Sequence, residues 1–196
     1  MLFKEILIQY EIDNNLSHEE MATKVGVSIS TYYRWINGET TQLRKNTKIR
    51  VSKVLGINVD DILEESARFK PILGSVKAGY DSWAIEDIEG YIEVGNKEAN
   101  KGDYFLRVKG NSMEGANIYS GDLVFVKQCN TLEQGKIGIV LIGDEATIKK
   151  VYFKNGLMIL EAANPNVETK YFSQNEIKNL PVKILGKAIF LRRNLD

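Results

Sequence analysis

The stretch Leu106–Gly115 reads LRVKGNSMEG. Ser112 follows a glycine by two residues, a setting in which most serines satisfy turn geometry and a few act as nucleophiles. A serine hydroxyl attacks well only when a neighbouring base takes its proton. The nucleophile elbow of hydrolases requires G-x-S-x-G, and here Glu114 stands where the second glycine belongs. The chain contains one histidine, His18, and one cysteine, Cys129. A Ser-His-Asp triad would have to recruit His18, and neither an internal disulfide nor a cysteine-rich zinc site can form. The remaining bases are a carboxylate or a lysine whose pKa is brought down by burial, since desolvation disfavours the ammonium. The run ATIKKVYF, Ala146–Phe153, offers two lysines. As a strand it places Thr147, Lys149 and Val151 on one face and Ile148, Lys150 and Tyr152 on the other, so one lysine can be buried while its neighbour is solvated. Spacing does not choose between them, and two surface lysines are the third arrangement open.

A second group of residues has the chemistry of nucleic-acid recognition. LSHEEMATKVGVSISTYYRWINGET, residues 16–40, reads as a helix, a glycine-containing turn and a second helix opened by Ser28. Ala22 permits a close helix crossing, Gly26 the turn, and Val27 fills the angle, which is the pattern of a helix-turn-helix. Tyr32 and Trp35 lie three apart and face the core, leaving Ser30, Thr31, Tyr33 and Arg34 outward as candidate base readers. An arginine there can donate two hydrogen bonds to guanine, and the hydroxyls adapt as donors or acceptors. Formal net charge is zero, with 26 basic and 26 acidic residues. Phosphate contacts must therefore come from a local patch, for which Arg44, Lys45, Lys48, Arg50 and Lys53 qualify. The plainer readings are a packed bundle that binds nothing and a solvated basic helix face.

The elements around these residues change period once. To about Leu63 the apolar residues recur at helical spacing, as in Phe3, Ile6, Leu7 and Tyr10. Ser17 with Glu20 forms a capping box, Gly26 ends that helix, and Asn58 opens a last one. After Arg68, short runs rich in Val, Ile and aromatics alternate with glycine turns and read as strands. Asn155-Gly156 between KKVYFK and LMILEA predicts a hairpin. The expected organisation is a helical DNA-binding domain over 1–65, a linker over 66–73 and a mostly-β domain over 74–196. The opening MLFKEILIQYEIDNN carries charges where a secretory signal needs an apolar core, and no run reaches the roughly 20 apolar residues of a membrane span. A cytoplasmic protein without a membrane partner is expected.

Two resemblances cover these halves. LSHEEMATKVGVS, STYYRWINGE and LGINVDDIL, within residues 2–63, resemble the Cro/lambda-repressor type of helix-turn-helix domain. That resemblance implies double-stranded operator DNA as a partner, phosphate contacts from His18 and Asn37, and a recognition helix opened by Ser28. Ile29 stands where relatives often carry a polar base reader and implies an apolar contact with a thymine methyl. Residues 72–193, through VKAG, IEGYIEV, DYFLRVKGNSM, GDLVFVKQ, GKIGIVLIGDEATIKKV and ILGKAIFLRR, resemble the LexA-type serine peptidase domain of LexA and phage repressors, a mostly-β fold akin to signal peptidases. By that resemblance Ser112 is the nucleophile, Lys149 its general base, Lys150 a solvated neighbour and Ala78-Gly79 the bond cut within the same chain. Backbone N–H groups of Asn111 and Ser112 hold the oxyanion. Neither cofactor nor metal is implied. The resemblance further implies a homodimer, with a RecA filament on single-stranded DNA as the trigger of cleavage. The rival is a non-cleaving repressor whose C-terminal half only dimerises and is released by an antirepressor or ligand.

Overall fold

The computed structural model describes residues 2–38, 42–74 and 88–194. The chain divides into a unit over Met1–Phe69 and a second over Lys70–Asp196. The first is helical: α1 (Phe3–Asn14), α2 (His18–Val25), α3 (Ile29–Ile36), α4 (Lys45–Leu55) and α5 (Val59–Arg68). Local chemistry sets several of these ends. Ser17 Oγ accepts from the Glu20 N–H while the Glu20 carboxylate accepts from the Ser17 N–H, and Gly26 closes α2 at φ 70°. Asn58 caps α5 by accepting from the Asp60 N–H. Phe3, Leu7, Met21, Val25, Tyr32, Trp35, Val51, Val59 and Leu63 meet in one buried cluster. The faces that bury them are those the helical periodicity predicts.

Among its described residues the second unit has nine strands: β1 (Phe69–Leu73), β2 (Ile88–Glu93), β3 (Tyr104–Arg107), β4 (Leu123–Gln128), β5 (Lys136–Ile142), β6 (Glu145–Lys154), β7 (Leu157–Glu161), β8 (Lys170–Ser173) and β9 (Val182–Arg192). Two short helices, α6 (Asn96–Ala99) and α7 (Gln174–Asn179), accompany them. The strand order is β2-β1-β3-β4-β9-β5-β6-β7-β8. β1 lies parallel to β3, with Leu73 beside Leu106. Onward from β3 in that order, every pair from β3–β4 to β7–β8 is antiparallel. The long β9 runs between β4 and β5 with a register irregularity against each. Bulges of this kind bend a sheet. Asn155 and Gly156 both adopt positive φ, 50° and 75°, as a two-residue hairpin turn demands, and Lys154 pairs with Leu157 across it.

The stretch expected to link the domains is structured. Residues 66–68 continue α5, and Phe69–Leu73 form β1. The polar run and Pro71 masked a strand whose backbone partners come from Phe105 and Leu106, some thirty residues on. Pro71 has no N–H to offer a ladder, and pairing with β3 begins one residue later, at Ile72.

Buried side chains of the second unit group around Leu106, Val124 and Ile139, around Val140, Val151 and Leu160, and around Phe105 and Phe125. The rings of Phe105 and Phe125 stack with centroids 4.6 Å apart, and Phe190 packs on Phe125 at 4.9 Å. Phe125→Ala should therefore cost about 3–5 kcal/mol, the usual cost of emptying a packed aromatic site. The measurement is a drop in the urea midpoint of the strand-rich unit with an unchanged slope; a loss below about 1 kcal/mol would show that the ring stack does not hold this part of the core.

Candidate active site and DNA interface

β3 delivers the chain into the turn that carries Ser112. Gly110 takes φ 81°, Val108 exchanges backbone hydrogen bonds with Gly121 and Asp122, and a single 3-10 turn, Glu114–Ala116, follows the serine. Met113 is buried beneath it, while Ser112 stays partly open. The second member of the site comes from the middle of β6. Lys149 is only 7% exposed, and its Nζ lies 2.7 Å from Ser112 Oγ, 37 residues away in sequence. The same nitrogen is 2.9 Å from Thr147 Oγ1 and 3.0 Å from the Ile148 carbonyl. Thr147 shares the face of β6 with Lys149, as strand alternation requires.

Burial holds the Lys149 pKa below the ordinary lysine value, with the ammonium of Lys170 adding to the effect. A neutral lysine amine has two N–H donors and one lone pair. Thr147 Oγ1 and the Ile148 carbonyl accept the two hydrogens, which leaves the lone pair for the hydroxyl hydrogen of Ser112. With all three as acceptors the same positions also hold the ammonium, so the site accommodates both the amine and its protonated form. Of the two lysines, Lys149 meets the serine; Lys150 is half-buried on the opposite face and pairs across the sheet with Ile137 and Glu161.

A loop after β7 holds the serine turn from one side. Asn164 Nδ2 donates to the Asn111 carbonyl at 3.0 Å, and the Gly115 N–H donates to the Ala163 carbonyl at 2.6 Å. From the other side, Asp122 accepts from the Tyr119 N–H and from Arg193 at the end of β9, at 2.6 Å. The Arg193 guanidinium holds the Asp122 carboxyl below the usual carboxylate range. Strand alternation puts Thr147 on the Lys149 face without a role, whereas Asn164 and the Asp122–Arg193 pair escaped sequence reasoning, Asn164 carrying only an Asn-Pro turn signal. The expected scissile bond Ala78-Gly79, together with Val76, Tyr80 and Trp83 around it, lies outside the described residues.

The helical unit presents α3 much as its spacing predicts. Tyr32 and Trp35 are buried, whereas Ile29, Ser30, Tyr33, Arg34 and Asn37 are exposed. Thr31 is half-buried. Its hydroxyl lies 2.8 Å from Ser28 Oγ, and Ser30 Oγ is 3.1 Å from the same atom. Ser28 also caps the helix by accepting from the Thr31 N–H. His18, 43% exposed at its side chain, places Nδ1 3.0 Å from both oxygens of Glu11, a buried carboxylate. A carboxylate only accepts, so Nδ1 carries the hydrogen, and a phosphate contact through Nε2 requires the imidazolium. The ring also meets Tyr33 edge-on at 5.5 Å. Of the basic cluster, Lys48 is engaged by Asp60 of α5, and the Arg50 guanidinium lies against Gly26 at the turn between α2 and α3. Among the described residues, no group of His, Cys, Asp and Glu can hold a metal, and no helix is long and apolar enough to cross a membrane.

Comparison with known proteins joins the two units. Residues 10–62 match a helix-turn-helix family, and residues 71–189 match the Peptidase S24-like family. The chain is 30% identical over 190 residues to the LexA repressor of Oceanobacillus iheyensis, an alignment covering 91% of this chain and 87% of the relative. It is 38% identical over 153 residues to the LexA repressor of Desulfitobacterium hafniense, covering 78% and 71%. With the LexA repressor of Geobacter metallireducens the identity is 39% over 126 residues, 64% of this chain and 61% of that relative's length. A helix-turn-helix unit ahead of an S24-like peptidase domain is the order these matches give, and the chain belongs to the LexA repressor family of DNA-binding, self-cleaving proteins with an S24-like peptidase domain.

Proposed function

We propose that this chain is a sequence-specific transcriptional repressor that inactivates itself by cutting Ala78-Gly79, with Ser112 as nucleophile and Lys149 as general base. The observation that carries the reading is the 2.7 Å approach of a buried lysine amine to Ser112 Oγ. An intact pair of this kind favours cleavage over the non-cleaving alternative. The topology is consistent with a bond in the same chain. β1 and β3 run parallel and side by side, so the segment after Leu73 starts from the same end of the sheet as the turn bearing Ser112. A small residue followed by glycine also gives an unhindered carbonyl in a pliable chain.

The chemistry follows from the lone pair on Nζ. Ser112 Oγ attacks the carbonyl carbon of Ala78 while its proton passes to Lys149. The carbonyl electron pair moves to oxygen, where N–H groups of Asn111 and Ser112 stabilise the charge. Collapse of this intermediate breaks the bond to Gly79, whose amine nitrogen takes the proton from the Lys149 ammonium. Water then attacks the Ser112 ester, with Lys149 taking its proton and passing it to Ser112 Oγ as the ester bond breaks and the Ala78 carboxylate is released. Cutting there separates the DNA reader from the strand-rich unit. Two linked readers on a palindromic operator bind far more tightly than one, because linkage raises effective concentration. Dimerisation through the strand-rich unit and its loss from the reader by cleavage are thus the means of regulation. The family supports a RecA filament on single-stranded DNA as the trigger, which would favour the conformer whose cleavage segment sits in the site. A cytoplasmic location accords with that partner.

Incubation at alkaline pH, followed on a denaturing gel, should convert the 22.2 kDa chain into two fragments. The rate should rise with pH through the lowered pKa of Lys149 and level off above it, since only the neutral amine is a base. Fragments that persist in Ser112→Ala or Lys149→Ala would refute the assignment. The same shift has a linkage signature. Between its lowered value and 10.5, the folded lysine binds fewer protons than the unfolded one, so this group makes stability rise with pH across that window. Urea unfolding of Lys149→Met should lack that contribution; an identical slope in both proteins would show an ordinary lysine. In the reader, Arg34→Ala should lose about 1–3 kcal/mol of discrimination between operator and random DNA in gel shift, and undiminished discrimination would remove Arg34 from the base contacts.

A further inference from the structure

The self-cleavage proposed above needs N–H groups aimed at the developing oxyanion, and a backbone N–H cannot aim itself. In a trans peptide the carbonyl of one residue and the N–H of the next point in opposite directions across one rigid plane. The direction of the Ser112 N–H is therefore set by whatever holds the carbonyl of Asn111. That carbonyl accepts a hydrogen bond from Asn164 Nδ2 at 3.0 Å. Asn164 is only 7% exposed, although it sits in a loop between exposed Pro165 and half-buried Ala163.

Every polar group of the Asn164 side chain is committed. Oδ1 accepts from the Asn166 N–H at 3.0 Å, closing a local turn around Pro165. The Asn164 backbone carbonyl accepts from Val167 at 3.0 Å. The amide thus enters the serine turn already oriented by its own loop. A second contact clamps the same two segments: the Gly115 N–H donates to the Ala163 carbonyl at 2.6 Å. A Cβ at Gly115 would fall on that carbonyl oxygen, so the close approach requires glycine there. The loop grips the turn at Asn111 and at Gly115, on either side of Ser112. Neither contact touches Lys149.

We propose that Asn164 is a positioning residue for self-cleavage: it fixes the peptide plane between Asn111 and Ser112 and so aims the Ser112 N–H at the oxyanion, independently of the Ser112–Lys149 pair. The inference rests on the cleavage reading above, and its consequences separate from those of the dyad. Disturbing the dyad changes the titration of the base. Disturbing Asn164 lowers the rate at every pH and leaves the titration alone.

The test is the first-order self-cleavage rate of the full chain across alkaline pH for wild type, Asn164→Ala, Asn164→Asp, Gly115→Ala and the Gly115→Ala, Asn164→Ala double variant. Asn164→Ala should lower the plateau rate by about 10-fold to 100-fold, approaching the loss that removal of one oxyanion donor causes. The pH midpoint should match wild type. Asn164→Asp keeps the shape and the bond from Asn166 but replaces the donor with an acceptor facing the Asn111 carbonyl. It should show the same loss even if the alanine variant folds poorly. The Gly115→Ala and Asn164→Ala losses should combine to less than their product, because both release one clamp. Cleavage within twofold of wild type in both Asn164 variants overturns the inference. So does a slowed rate whose midpoint moves toward the ordinary lysine value, since that would mean Asn164 acts by keeping Lys149 buried. A wild-type chain that stays whole overturns the cleavage reading and this inference together; a cleaving wild type beside unimpaired variants overturns this inference alone.

Discussion

A lysine amine buried in a sheet is the constraint on which the strand-rich unit turns. An ammonium taken from water at that depth loses solvation that three neutral acceptors repay only in part. Burial therefore lowers the Lys149 pKa from the ordinary lysine value. Once neutral, the nitrogen has two hydrogens and one lone pair to place. Thr147 Oγ1 and the Ile148 carbonyl stand where they can accept the hydrogens, with Ser112 Oγ 2.7 Å away as the group left for the lone pair. Both of the first two partners belong to β6 itself, so the strand that carries the amine also orients it. The serine comes from a separate turn, and the sheet must bring that turn to the strand.

Much of the remaining architecture serves that meeting. The turn bearing Ser112 is attached at its stem by Val108, Gly121 and Asp122. Asp122 is tied to Arg193 beyond the end of β9, and the loop of Ala163 and Asn164 holds the crest. These contacts come from segments far apart in the chain. They converge because β9 lies between β4 and β5 and because the β6–β7 hairpin returns the chain toward the serine turn. The helical unit follows a simpler rule. One buried face per helix holds the bundle together, and the opposite face of α3 remains open to a ligand.

Periodicity and caps made the helical unit legible: Ser17 with Glu20, Gly26 and Asn58 act locally, and the residues facing inward repeat every three or four. Asn155-Gly156 located its hairpin for the same reason, since two positive φ angles are demanded within two residues. The strand at Phe69–Leu73 was not legible. Its partners lie in β3, and nothing in FKPIL announces a neighbour so distant. The pairing of Ser28 with Thr31 and the grip of Glu11 on His18 were also hidden. Each joins residues whose types fit several roles equally well.

For the chemistry, the sequence by itself narrowed the choice by subtraction. One histidine, one cysteine and no elbow glycine left a serine in search of a carboxylate or a lysine, and strand alternation set Lys149 and Lys150 on opposite faces. The family resemblance favoured Lys149, on grounds that spacing could not supply. Only the tertiary structure decided which lysine of β6 is buried, that it meets Ser112, and which distant carbonyls and amides hold the serine turn in place. Alternation is a property of one strand, whereas burial is a property of everything packed against it.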